Sequence, residues 1–299
     1  MQTSVANDAH QPKAAALISA TVAMVSFQIG ATFAKQLIPA IGAPGTTALR
    51  LGLSALLLIV LQRPWRTVPS RSAWPVVLAY GVSLGAMNSV FYLALRTIPL
   101  GIAVAIEFIG PLAVAVFASR RRLDYLWVAL AAIGLSLLLP ITRSGTALDR
   151  AGVFYALAAG VGWALYIVFG QKAGQAQGSS ASTWGLMIAA LVTVPVGIAD
   201  AGTDLLDLSL LPFGLGVAIF SSALPYTLEM VALRRLSAKV FGTLMSFEPA
   251  IAALAGVMLL REQLTVTQWL AIAAIISASV GAVASEPPPA DRVRADFAP

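Results

Sequence analysis

Apolar residues in this chain fall into blocks of about 20 separated by short polar links, and that spacing constrains the fold more than any other feature. A helix of that length crosses roughly 30 Å of hydrocarbon. The blocks lie near 14–35, 44–61, 73–95, 99–118, 123–140, 151–170, 181–200, 211–232, 239–260 and 266–284. In lipid every backbone polar group must be satisfied internally, so the segments are helices or strands of a closed barrel. They are too long and too evenly apolar for barrel strands. Composition agrees, because 59% of the 299 residues are hydrophobic and 11% charged, against about 25% charged in soluble domains. The expected fold is an all-α polytopic membrane protein with ten transmembrane helices.

Several links carry helix-end chemistry. Thr265 to Gln268 reads Thr-x-x-Gln, a capping box opening the last block. Pro99 and Pro212 stand where helices start, which suits a fixed φ and a missing N–H. Residues 1–12 contain Asp8 and lack a basic run, unlike a cleaved leader, so the first block reads as a retained helix. The final segment, EPPPADRVRADFAP, is proline-rich and charged and reads as a disordered tail, 286–299.

Lys and Arg give the direction. With the N-terminus inside, the inner side holds thirteen: Lys13, Arg63, Arg66, Arg71, Arg120, Arg121, Arg122, Lys172, Arg234, Arg235, Lys239, Arg292 and Arg294. The outer side holds five, Lys35, Arg96, Arg143, Arg150 and Arg261. Both termini are therefore expected in the cytoplasm. This distribution accounts for the net charge of +6 without a nucleic-acid partner.

The chain also repeats itself. A shift of 138 superposes Ser83 on Ser221, Leu95 on Leu233, Arg96 on Arg234 and Pro111 on Pro249. A shift of 136 brings Phe27 onto Trp163 and Phe33 onto Phe169. The expected organisation is a cytoplasmic tail (1–12), a first repeat of five helices (13–140), a second repeat of five (141–285) and the final tail. Five is odd, so the second repeat enters the membrane inverted, as in many secondary transporters.

Composition removes several chemistries. There is no cysteine, and the one histidine, His10, lies in the N-terminal tail. That leaves no thiol nucleophile, no histidine base and no His or Cys metal site within the spans. The aspartates lie at loops and helix ends, so the chain is not read as an enzyme, and no metal or cofactor is expected.

What remains are charges inside apolar blocks, each costing about 2.5–3.5 kcal/mol on insertion scales. Arg50 lies about six residues from the outer end of its helix and Glu107 about eight, so both are roughly 9–12 Å deep. Glu248 falls near the midplane and precedes Pro249, which frees the carbonyl of residue 245. Glu107 reads either as a substrate or proton site or as a structural partner of Arg50. Glu248 reads either as part of a broken-helix site or as a kink. Glu229, near Arg234 and Arg235, reads as an interfacial ion pair. Asn88, Ser222 and Tyr226 are uncharged candidates, and the 138 shift places Asn88 opposite Tyr226. Such groups also serve simply to join helices.

At these residues the chain resembles a known family. The runs GAPGTTALRLGLSALLLI from Gly42, YGVSLGAMNSVFYLALRTIPLGIAVAIEFIGPLAVAVFASRR from Tyr80 and ALPYTLEMVALRRL from Ala223 carry the likeness. FGTLMSFEPAIAALAG from Phe241 and REQLTVTQWLAIAAIISAS from Arg261 continue it. They are similar to the drug/metabolite transporter superfamily with two EamA-type repeats, and within it to bacterial inner-membrane exporters of threonine and homoserine. The resemblance implies ten helices, cytoplasmic termini and proton-coupled efflux of small amino acids. It does not assign substrate residues.

From charge and depth, Arg50 is expected to meet a substrate carboxylate, and Glu107 or Glu248 the ammonium. Asn88, Ser222 or Tyr226 would take a side-chain hydroxyl. Glu107 and Glu248 are the proton-coupling candidates. The expected partners are amino acids, protons and the lipid bilayer, and a homodimer is left open. The competing readings are export of other small metabolites or drugs on the same fold, or a passive channel or sensor.

Overall fold

The structure is a computed structural model that describes residues 2–98, 100–138, 149–248, 250, 251, 254 and 265–285. Among these residues all regular structure is helical. Helix α1 (Gln2–Gln62) is divided at Gly42, where φ is 66° and ψ 177°. That positive φ is open to glycine at no steric cost, and it separates the first two expected spans. Helix α2 (Trp74–Leu95) follows. Helices α3 (Leu100–Glu107) and α4 (Ile109–Phe117) are parted by a turn at Phe108. Next come α5 (Arg122–Leu138), α6 (Arg150–Gln177) and α7 (Ser180–Ala201). Helix α8 (Leu211–Ala218) passes through a π-helical turn, Ile219–Ala223, into α9 (Leu224–Arg235). Helix α10 (Ala238–Met245) ends at a turn at Ser246. Helix α11 (Val266–Ala284) opens on the expected capping box of Thr265 and Gln268.

Among the described residues seven stretches are long and apolar enough to cross a bilayer: Ala14–Ala34, Gln36–Gln62, Trp74–Leu95, Arg150–Gln177, Ser180–Leu206, Leu208–Arg235 and Val266–Ala284. The chain is a multi-pass membrane protein. The three other expected spans differ in their described parts. The 99–118 block is split between α3 and α4, α5 has 17 residues, and only the first part of 239–260 is described. Pro99, Pro249, Arg143, Arg261 and the 286–299 tail fall outside the described residues.

The break at Phe108 has a sequence cause. Pro111 cannot donate to the carbonyl of Glu107, and its ring crowds that carbonyl. Helix α4 then packs on α6 and α10. A Cβ on Gly110 would sit 2.0 Å from the Gly160 carbonyl oxygen, so α4 and α6 touch backbone to backbone beside Glu107. Small residues allow such approach between membrane helices. Elsewhere α2 packs on α6 and α7, α1 on α7, α8 and α9, and α5 on α11.

The 200–210 link is anchored at its start by an ion pair from Asp200 to Arg96. Asp207 in the same link accepts the Ser209 backbone N–H at 2.8 Å, which holds its carboxyl below the usual carboxylate range.

Candidate functional site

The π-helical turn at 219–223 shifts the backbone carbonyls around it, and side chains of α1 take them up. Ser54 Oγ donates to the Ala218 carbonyl at 2.8 Å, and Ser26 Oγ to the Phe220 carbonyl at 2.7 Å. The Arg50 guanidinium donates to the Ser221 hydroxyl at 3.1 Å and to the Ser221 carbonyl at 3.4 Å. Its other terminal nitrogen donates to Asn88 Oδ1. Asn88 Nδ2 in turn donates to the Leu84 carbonyl at 2.8 Å and to the Tyr226 hydroxyl at 3.4 Å. Arg50 is thus fixed between α1, α2 and the π turn. Its Nε is buried without a partner among the described residues.

Arg50, Asn88 and Tyr226 line a cavity of about 220 Å³. Arg50, Asn88, Glu107, Tyr226 and Glu248 all face it, so five of the six candidates meet at one place. Ser222 does not line it. Ser222 is fully buried behind the wall, its hydroxyl unpartnered, and its neighbour Ser221 makes the contact with Arg50. Glu107 and Arg50 share the cavity, but no ion pair or hydrogen bond joins them among the described residues. Grooves of 500 and 570 Å³ elsewhere are lined by apolar side chains and offer no comparable chemistry.

Two residues of the cavity were missed from sequence. Glu229 does not make the expected interfacial pair, for Arg234 and Arg235 are exposed and Glu229 is buried. It lines the cavity and accepts the Tyr166 hydroxyl at 2.5 Å. The signal was available. Tyr226 and Glu229 are spaced i, i+3 on α9 and share a helix face. Tyr166 carried no such mark, because its value comes from its contact across to α9.

Helical interruptions flank the acids. Glu107 ends α3 just before the turn at Phe108, and Glu248 stands two residues after the turn at Ser246. Phe108 and Ser246 are 138 residues apart, the same shift that relates the two sequence repeats. Asn88 and Tyr226, also 138 apart, are in contact.

The model of the EamA-like transporter family matches residues 150–284. The chain is 54% identical over 260 residues to the threonine/homoserine exporter RhtA of Escherichia coli (strain K12), covering 87% of this chain and 88% of that protein. It is 31% identical over 245 residues to the uncharacterized transporter YwfM of Bacillus subtilis (strain 168), covering 77% of this chain and 79% of that one. A solved crystal structure shares the fold with a TM-score of 0.75 and 17% identity, over 96% of this chain and all of that one. With so much of its length shared with curated transporters, the chain belongs to the EamA-like transporter family.

Proposed function

We propose that the protein exports threonine, homoserine and related small amino acids across the bacterial inner membrane by proton antiport with alternating access. The observation that carries this reading is one cavity lined by a fixed guanidinium and by Glu107, Glu229 and Glu248. A zwitterion brings a carboxylate and an ammonium, and the cavity offers a partner for each. The unpartnered Nε of Arg50 is a donor in reserve for the carboxylate. A planar guanidinium suits that role better than a point-charge ammonium. Glu107 or Glu248 takes the ammonium. Asn88 and Tyr226 hold the side-chain hydroxyl, and Ser222 receives no contact in this conformation.

Antiport follows if proton and amine compete for one carboxylate. Substrate release outside leaves the acid free to take a proton, and its loss inside readies the acid for the next amine. The ten-helix inverted repeat, with both termini in the cytoplasm, is the frame for this cycle. The paired interruptions at Phe108 and Ser246 and the Asn88–Tyr226 contact support it, as does the excess of Lys and Arg on the proposed inner side. The two repeats would rock about the shared site.

Size favours amino acids over drugs. The cavity, about 220 Å³, is below the roughly 300–1,000 Å³ typical of drug-sized sites. The test is counterflow in proteoliposomes with threonine, homoserine and a panel of drugs. Exchange of the two amino acids alone supports the reading, and exchange of the drugs with neither amino acid overturns it. Substrate movement indifferent to a proton gradient returns the passive-channel reading.

A further inference from the structure

Glu229 is a cavity carboxylate that the zwitterion scheme does not use. It is buried, no cation is within ion-pair distance among the described residues, and its hydrogen bond comes from the Tyr166 phenol. An unpaired acid in the membrane interior is expensive and marks function by default. Next in line stands Tyr80. Its ring centroid is 5.3 Å from that of Tyr166, and its hydroxyl is buried with no hydrogen-bond partner among the described residues. Buried hydroxyls are normally satisfied, and a phenylalanine would fill the same space at lower cost. The surroundings are apolar, with Met230, Leu233, Leu236 and Phe241 all buried in the same core as Tyr80 and Tyr166.

Tyr80 and Glu229 lie toward one side of the membrane. Tyr80 is six residues from Trp74 at the start of α2, and Glu229 six from Arg235 at the end of α9. At 1.5 Å per residue each is about 9 Å from the end proposed as cytoplasmic. The cavity on the other side of Glu229 reaches Phe91 and Tyr92, near the opposite end of α2.

We propose that Glu229, Tyr166 and Tyr80 form a proton path from the cavity toward the cytoplasm, separate from the acid that meets the substrate amine. The proposal rests on the antiport reading. The Tyr166 hydroxyl, which donates to Glu229 in this conformation, first turns toward Tyr80. A proton held on Glu229 then leaves as its O–H bond breaks and a new one forms on Tyr166. The proton of Tyr166 passes to Tyr80, and that of Tyr80 to water at the cytoplasmic end. A phenol both donates and accepts, so each tyrosine gains one proton and gives one. The net change is loss of a proton from the Glu229 carboxyl and its gain by water.

Other groups facing Glu229 are Tyr226 on its own helix, Arg50 on α1, Glu107 at the end of α3 and Glu248 beyond α10. Lys239 on α10 is engaged with Asp124.

The experiment uses the full chain in proteoliposomes with a pH-sensitive dye inside, and labelled threonine. Net proton movement per threonine is measured beside threonine–threonine counterflow, which needs no net proton transfer. Tyr80→Phe and Tyr166→Phe keep the rings and remove only the oxygens. Each should cut proton movement about tenfold or more, in line with the loss of a proton-transfer group, and so should Glu229→Gln. Tyr80 does not line the cavity, so Tyr80→Phe should leave counterflow within about twofold. Unchanged proton movement in both phenylalanine variants overturns the path, as does an equal fall in proton movement and counterflow in Tyr80→Phe. If the unmodified protein moves threonine without protons, the antiport reading fails and the path with it, an outcome distinct from failure of the path alone.

Discussion

Arg50 and Glu107 line one cavity from α1 and α3 without pairing, because the guanidinium is already held by Asn88 and Ser221. A strut for Arg50 would need the contact that is missing. Glu107→Gln should therefore fold with a stability change of no more than about 1 kcal/mol, since no ion pair or hydrogen bond of Glu107 is lost. Threonine efflux driven by a proton gradient in inside-out vesicles should fall about tenfold or more. Gradient-driven efflux at the normal rate would remove Glu107 from the mechanism and leave Glu248 as the acid. Glu248→Gln in the same assay separates the two.

Arg50→Lys tests the fork. An ammonium on a flexible stem cannot reach Asn88 Oδ1 and Ser221 together while keeping a donor for substrate. One buried acceptor is then left unmatched, at about 1–3 kcal/mol. Threonine affinity should drop by about tenfold or more, each tenfold being about 1.4 kcal/mol. Binding can be read from the fluorescence of Trp163, which lines the cavity. Unaltered affinity would make Arg50 a purely structural tie between α1 and the π turn.

Much of this was legible in sequence because hydrophobic length and charge cost are local signals. The positions of Arg50, Glu107 and Glu248 stood out against apolar blocks, and the 138 shift placed Asn88 opposite Tyr226, where the structure finds them in contact. Glu229 was misread because its nearest neighbours in sequence, Arg234 and Arg235, offered an easy pairing. The helix turns those arginines outward and carries Glu229 inward with Tyr226. The π turn was not legible at all. It depends on Ser26, Arg50 and Ser54, which lie more than 160 residues away along the chain and cap its carbonyls. Tyr166 and Tyr80 drew no reading from sequence, because only packing shows which phenol meets an acid.

The backbone contact between α4 and α6 gives a graded prediction. A methyl on Gly110 meets the Gly160 carbonyl oxygen at 2.0 Å, whereas one on Gly160 meets the Glu107 carbonyl oxygen at 2.9 Å. Neither neighbour is a flexible side-chain end, so the helices must part. Gly110→Ala should cost about 1–3 kcal/mol, the usual range for overpacking, and Gly160→Ala less. Thermal denaturation in detergent checks the order. Transport should fall with stability in the same order, because the contact lies beside Glu107 at the end of α3. Equal tolerance of both substitutions would mean that the helices are less closely seated than the structure shows.

Lys239 and Asp124 form a buried ion pair at 2.9 Å between the first turns of α10 and α5, one helix from each half of the chain. Asp124 also accepts the backbone N–H groups of Arg120 and Arg121. Lys239→Met removes the ammonium and leaves the carboxylate buried. Breaking one side of such a pair costs about 3–5 kcal/mol, and the two backbone donors should hold the loss to the lower end. Asp124→Asn with Lys239→Met removes both charges and should recover most of the loss. A double-mutant cycle read by thermal denaturation gives the coupling, expected at about 1–3 kcal/mol for directly bonded partners. Strictly additive losses would show that the pair contributes nothing as a pair, and that each residue acts through its other contacts.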